Sequence, residues 1–225
     1  MPQRLWNHAP MRHFDLAIHG FGMIPSLLAI HLLGRSPGRT LLLLSGDETI
    51  GGETLEPVLT SSLSEPARRL VEAFVVTRWP GFLVTRDGTP HHQQAEVLLL
   101  DPVQVWLELS TLLADGDMVL SGGSVKAQGQ VLQWQGGDAV ALDFVDLASL
   151  TRREQSAEIL GLEIARSLPL PVLVDFDTGS EPWDAFQHIP LGDERVYVRK
   201  RRCQGDPVAD LTTGFGKMLS DLIAY

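Results

Sequence analysis

The chain has a single cysteine, Cys203, in 225 residues. No internal disulfide can staple the fold, and a reducing compartment is the expectation. It also lacks an apolar run of the roughly 18 residues that a membrane-spanning helix needs. The longest apolar helical stretch, Met23–Leu33, is interrupted by His31. The stretch before the first strand, with Arg4, Trp6, Pro10 and Arg12, has no continuous apolar core of the signal-peptide kind. Positive charge is scarce: 18 Lys and Arg stand against 28 Asp and Glu, for a net charge of −10. That balance disfavours binding to a phosphate backbone, so no nucleic-acid partner is expected. Internal repeats and low-complexity tracts are missing too. What remains is an ordinary globular composition, 44% hydrophobic, sufficient for a real core in one large or two small domains. A cytoplasmic protein is the expectation.

The most informative stretch lies in the first fifty residues. Phe14–His19 is a short apolar strand running into Gly20-Phe21-Gly22; Met23–Leu33 follows as a helix and Thr40–Leu44 as a second strand. That order makes one βαβ unit, in which a pyrophosphate can sit on the helix N-terminus. Gly20 and Gly22 supply the tight turn and close approach of such a fingerprint. Its third glycine is replaced by Pro25, and Ser45 stands where the second strand usually ends in an acid. Pro25 suits a first helical turn but removes one amide from it. The nearest basic residues, Arg35 and Arg39, belong to the far end of the helix. The architecture is better supported than the cofactor.

Further along, Gly51-Gly52 and Pro57 mark a loop, and Leu63–Val75 is predicted as a helix capped by Ser64-Glu65-Pro66. Phe82–Thr85 and Ala95–Leu100 are predicted as strands around a polar turn containing Asp87-Gly88 and His91-His92. Pro102–Leu113 has helical spacing, with Asp101 as N-cap. Met118–Leu120, Val131–Trp134 and Val140–Leu142 are predicted as a small antiparallel meander. Arg152–Ala157 reads as a linker, Pro171–Phe176 and Arg195–Arg199 as strands, and Gly214–Tyr225 as a helix with Met218, Leu219, Leu222 and Ile223 on one face.

Several segments, in order, resemble the bacterial lycopene cyclases, flavoproteins of the glutathione-reductase/hydroxylase-like group. They are FDLAIHGFGMIPSLLAIHLL, LLLLSGDETIGG, RWPGFLV, LLLDPVQVWLEL, ALDFVDLAS, PLPVLVDFD and FQHIPLGDERVYVR. The resemblance implies an α/β fold: a Rossmann-like FAD/NAD(P)-binding three-layer domain with a small antiparallel substrate sheet. It implies FAD as cofactor, with NAD(P)H as the alternative nucleotide, and an apolar isoprenoid or carotenoid substrate. The reaction implied is a proton-initiated cyclisation through a carbocation without net redox change, with peripheral membrane contact. Domain expectations follow: 1–80 as the N-terminal part of the dinucleotide-binding domain, 81–100 as a substrate-sheet hairpin, and 101–150 as its helix and meander. Then come 151–203 as a reduced substrate sheet and 204–225 as a C-terminal flavin-domain helix.

Residue roles carry over by position. Gly20, Gly22 and Ser45 fall in the nucleotide site, with Asp47 or Glu48 as substitutes for the missing acid. Asp206 matches an aspartate that hydrogen-bonds the ribityl chain, and Thr213-Gly214 opens the helix that approaches the flavin. A second placement makes Arg195–Cys203 a substrate-sheet strand and Gly214–Tyr225 merely the next helix. Asp175 matches an aspartate on the family's corresponding strand and is the candidate catalytic acid; Asp177 shares its face, and Glu163 and Glu181 are weaker candidates. Departures are clear: Arg199-Lys200-Arg201-Arg202 occupies an acidic stretch of the cyclases, and Glu53-Thr54-Leu55-Glu56 replaces an Asn-His-Thr-Trp segment.

Bland readings compete with several motifs. His91-His92 is expected to be a turn-exposed pair rather than metal ligands, so no metal site is expected. Cys203 lacks an identifiable base, and Arg199–Arg202 is expected on a solvated edge strand. The five tryptophans, 6, 79, 106, 134 and 183, could wall an isoprenoid site or simply pack a core. Two rival functions stay open: a non-catalytic relative that keeps the fold to bind a partner or an isoprenoid, and a small NAD(P)-dependent reductase. An abbreviated fold of this kind is also expected to form a homo-oligomer or to join a protein partner.

Overall fold

The computed structural model describes residues 11–46, 49–52, 54–122, 125–134, 137–149, 170–176, 183–191, 196–203 and 214–224. In chain order the elements begin β1 (Arg12–Gly20), α1 (Ile24–Arg35), β2 (Leu41–Ser45), β3 (Glu56–Leu59), α2 (Glu65–Val71), β4 (Val75–Trp79), β5 (Phe82–Arg86), β6 (Thr89–Gln93) and β7 (Val97–Leu100). They continue with α3 (Pro102–Leu112), β8 (Met118–Leu120), β9 (Lys126–Gln128), β10 (Val131–Trp134) and β11 (Gly137–Asp146). The last are β12 (Val172–Phe176), β13 (Trp183–Pro190), β14 (Val196–Cys203) and α4 (Phe215–Ile223). The chain divides into two compact units: Met1–Glu53 with Val105–Arg153, and Thr54–Gln104 with Glu154–Tyr225.

The first unit is built on a six-stranded sheet in the order β8-β2-β1-β11-β10-β9. β8, β2, β1 and β11 run parallel, and β10 and β9 complete an antiparallel meander on β11. Central parallel strands are covered on both faces, so they read as unbroken apolar runs. Leu41 to Leu44 are accordingly all buried, as are Leu16, Ala17 and Ile18. α1 begins at the glycine turn with Pro25 in its first turn, and it buries Ile24, Leu27, Leu28, Ala29, Ile30 and Leu33. At the opposite end of the sheet, Asp15 accepts hydrogen bonds from the Thr40 backbone N–H (2.8 Å) and hydroxyl (3.0 Å). Those bonds, the backbone one foremost, hold the Asp15 carboxyl below its ordinary range. Arg39 pairs with Asp143 nearby.

The second unit sets a three-stranded antiparallel sheet, β3-β7-β4, against a five-stranded sheet, β14-β13-β12-β5-β6. One apolar cluster joins them: Leu59, Trp79, Val97 and Leu99 from the smaller sheet meet Phe82, Val84, Leu173, Ala185, Ile189 and Tyr197 from the larger. Ser64 caps α2 by accepting from the Ala67 N–H (3.4 Å). α4 packs so closely on the turn before α2 that a Cβ at Gly216 would overlap the Ser62 side chain.

Four expectations change at the level of elements. The helix predicted over Leu63–Val75 stops at Val71, and Val75–Trp79 is a strand, because β4 completes the small sheet along β7. Ala95–Leu100 does not form a hairpin with Phe82–Thr85. Asp87 and Gly88, at φ +48° and +74°, make the two-residue turn whose backbone twist matches a hairpin, so β5 pairs at once with β6. His91 and His92 therefore lie exposed along β6, not in the turn. Met118–Leu120 is not part of the meander but a parallel neighbour of β2. The strand predicted over Arg195–Arg199 runs Val196–Cys203, paired along its whole length with β13, whose strand character the sequence did not reveal. The linker expected at Arg152–Ala157 lies outside the described residues.

Arg199 is the most consequential correction. β14 is an edge strand as expected, yet Arg199 is 1% exposed, and its Nη1 donates to Glu56 Oε2 at 2.9 Å. β13 covers one side of β14, and register with Gln187 turns Arg199 towards the sheet-on-sheet core, where only a paired charge is tolerable. Arg199→Met is expected to destabilise the chain by about 3–5 kcal/mol, because Glu56 is left unpaired. Replacing both, with Glu56→Leu, should restore most of the loss in urea titrations. Acid should reveal Asp15. Its folded pKa is depressed, so its contribution is present at neutral pH and disappears as pH falls below the ordinary carboxylate range through the folded value. The stability gap between wild type and Asp15→Asn should close over that window in pH-dependent denaturation.

Candidate functional site

The parallel sheet of the first unit defines where a ligand fits. β1 lies between β2 and β11, with Gly20 opposite Ser45 on one side and His19 opposite Asp146 on the other. The chain leaves β1 towards β2, while β11 joins β1 from the other side. The carboxyl ends of β1 and β11 are thus a topological switch point, where open α/β sheets take their ligands.

Gly20 ends β1, and Gly22 sits in the left-handed region at φ +72°, with nothing within 4 Å of the place a Cβ would take. Met23 is the N-cap of α1, contributes no side-chain cap bond, and no acid stands in the first helical turn. Met23 thus offers the leading amides of α1 no side-chain acceptor, and such amides are the donors that a phosphate uses. Pro25 removes one of those amides but leaves the helix intact.

A second glycine segment meets the first. Gly51 and Gly52 adopt φ +91° and +99°. A Cβ on Gly52 would lie 3.2 Å from the Met23 nitrogen and 3.3 Å from the Gly22 carbonyl carbon. The loop after β2 thus lays bare backbone on the head of α1. The sequence marked Gly51-Gly52 only as a loop; the available signal was their pairing shortly after a strand that follows a glycine turn.

Ser45 is the last residue of β2 and is 6% exposed, with its carbonyl accepting from the Gly122 N–H at 3.1 Å. No carboxylate stands at this strand end itself, and Asp47 and Glu48 lie outside the described residues. His19, not among the residues that sequence spacing singles out, is buried beside the turn. Its Nδ1 is 3.0 Å from Asp146 Oδ1, and its carbonyl accepts from the Leu147 N–H at 2.7 Å. The signal was a histidine closing an otherwise apolar buried strand. Tested against a dinucleotide, this glycine turn and helix head fit the pyrophosphate, and among the described residues no acid stands at the end of β2 for the ribose.

In the second unit, Asp175 on β12 stands opposite Phe186 of β13 and lies 3.3 Å, Oδ2 to Nε2, from His188. Both side chains are partly exposed, at 37% and 24%. A carboxylate against an imidazole can hold and pass a proton. The sequence named Asp175 but not His188, whose alternation on β13 was the only cue. Gly214 is the N-cap of α4 and has no side-chain cap bond. Asp206 and Thr213 lie outside the described residues, as do Asp177, Glu163, Glu181 and Trp6. Trp79 is core, and Trp106 and Trp134 are half-buried; the first belongs to the second unit and the other two to the first. Among the described residues no group of His, Cys, Asp and Glu could hold a metal ion. Among them, too, no helix is long and apolar enough to cross a membrane.

No family model matches the sequence, and no curated protein matches it either. Solved structures do. The chain is similar to NikD, an unusual amino acid oxidase essential for nikkomycin biosynthesis, at 13% identity and TM-score 0.52, over 88% of this chain and 73% of that one. It is similar to 2-methyl-3-hydroxypyridine-5-carboxylic acid oxygenase at 10% identity and TM-score 0.53, over 96% and 65%. It is similar as well to a geranylgeranyl bacteriochlorophyll reductase-like protein of Thermoplasma acidophilum at 14% identity and TM-score 0.50, over 85% and 57%. The chain spans between about half and three quarters of the length of the solved chains it matches. At these identities the likeness is one of fold: the mixed α/β architecture of parallel and antiparallel sheets is the one that these oxidase, oxygenase and reductase-like proteins share.

Proposed function

We propose that the chain is a flavoprotein that holds FAD at the glycine cradle of its first unit and carries out proton-initiated, non-redox cyclisation of a carotenoid or related isoprenoid. The observation that carries the cofactor reading is the convergence of Gly20–Gly22 and Gly51–Gly52 on the uncapped head of α1. The fold shared with oxidases, oxygenases and a reductase-like protein supports it. In this reading the head of α1 and the left-handed turn at Gly22 receive the pyrophosphate. When bound, the flavin supplies the redox-capable ring system that the polypeptide lacks.

Cyclisation needs a proton delivered to one end of a double bond and removed elsewhere after ring closure. Asp175 and His188 are the pair assigned to that exchange: the Asp175 carboxyl gives the proton and is left as a carboxylate, 3.3 Å from the His188 Nε2, and takes a proton back after ring closure. A polyene adds no atoms and loses none overall, so the product is an isomer of the substrate. A second reading is favoured by Ser45 and Pro25, both departures at the nucleotide site. It makes the chain a non-catalytic subunit that keeps the fold and binds an isoprenoid or a protein partner, as a homo-oligomer or within a larger assembly, at a membrane surface in the isoprenoid case.

Incubation with an acyclic carotenoid in D2O separates these readings. The cyclase reading expects a product of unchanged formula in H2O that gains a deuterium for each ring closed in D2O. Asp175→Asn should slow its formation by about a hundredfold or more. A product carrying added hydrogen or oxygen defeats the non-redox proposal, and bound but unconverted carotenoid favours the second reading.

A further inference from the structure

Strands β12 and β13 do not pair residue for residue. Val172 stands opposite His188 and Asp175 opposite Phe186, so three steps along β12 match two along β13. The strand on the other side records the same offset: Val172 stands opposite Leu83 and Val174 opposite Val84, two steps against one. Taken together, the two ladders make Leu173 the extra residue of β12. One residue too many in a strand is a β-bulge, which bends the strand, raises its local twist and re-aims the side chains beyond it.

Burial agrees with that placement. Leu173 and Val174 follow one another directly, yet they are 1% and 2% exposed and both belong to the apolar cluster between the two sheets. A regular strand cannot bury two successive side chains in one core, because they take opposite faces. Val172 shares its face with His188 and Leu83. Unbroken alternation from Val172 would put Asp175 on the inner face with Leu173. The bulge instead returns Asp175 to the face of His188, between Thr85 on β5 and Phe186 on β13. There its Oδ2 lies 3.3 Å from His188 Nε2.

We propose that Leu173 is a positioning residue, and that its presence as an additional residue of β12, rather than its side chain, turns the Asp175 carboxyl out of the core and onto His188. It rests on the cyclisation reading above only for the use of Asp175 as an acid. A ladder interrupted beside a carboxylate and an imidazole is the setting in which bulges re-aim a reacting group.

Histidine-ring 1H–15N spectra of the full chain test the aim, with the His188 signals identified by their loss in His188→Gln. Asp175→Asn should shift those signals in the wild type, and also in Leu173→Ala, which keeps the additional residue. With Leu173 deleted, Asp175→Asn should leave them where they are. Deletion should also slow conversion of an acyclic carotenoid by about a hundredfold, as a small misplacement of a reacting group does. Should the deletion variant not fold, the other two backgrounds still decide: absence of the shift in either one overturns the inference. So does a folded deletion variant that keeps the shift, or that cyclises as fast as the wild type, and the cyclisation reading then stands. A wild type that shows the shift but converts no carotenoid overturns the cyclisation reading and leaves the aim of Asp175 established.

Discussion

Backbone meets backbone at the head of α1 because two glycines adopt left-handed conformations there and the second of them, Gly52, carries no side chain into the first. Gly22 turns left-handed out of β1, and Gly52, itself at φ +99°, comes back over it so closely that a Cβ there would lie 3.2–3.3 Å from the backbone of Met23 and Gly22. That crossing fixes the path of the chain out of β1, the start of α1 and the return of the loop after β2. It also leaves the head of α1 without a side-chain cap from Met23 and without an acid in its first turn, the end of a helix that electrostatics favours for an anion. The sheet supplies the rest: β1 between β2 and β11 puts the crossing at the switch point, and hydrogen bonds from Gly46 to Gly20 and from Leu147 to His19 close the strand ends around it.

The second unit depends on a different constraint. Its two sheets are joined by a largely apolar interface, yet Arg199 and Glu56 meet inside it. A buried ion pair is weak as a source of stability but strict as a condition on register, since a slip of one residue would strand both charges. Along β14 that condition fixes Tyr197 and Arg199 on the inner face, and through β13 it fixes Gln187 beside them. On the neighbouring pair of strands, β12 and β13, the same order brings Asp175 and His188 within reach of each other.

Much of the first unit was legible in the sequence, because continuous apolar strands and a glycine turn are local signals. Phe14–His19, Met23–Leu33 and Thr40–Leu44 all fall on observed elements. The second unit was harder to read for reasons that are equally physical. Val75–Trp79 looks like the tail of a helix until β7 is available to pair with it, and Val97–Leu100 looks like half of a hairpin until the Asp87-Gly88 turn claims β6. Arg199 shows the limit most plainly. No local pattern distinguishes a charge on a solvated edge from one that turns inward to meet a glutamate 143 positions away. At the candidate site Gly20, Gly22 and Ser45 were named from their spacing, whereas Gly52 and His19 matter through contacts that only the folded chain creates.

On the proposed function, the crossing of these glycine segments holds a flavin nucleotide. The most direct measurement is the visible absorption spectrum of the full chain after incubation with FAD and removal of free cofactor by gel filtration. Oxidised-flavin bands that travel with the protein, and are lost from Gly52→Val under the same treatment, are what the account predicts. A colourless wild-type protein after excess FAD would contradict it, leaving the fold without a flavin at its glycine crossing.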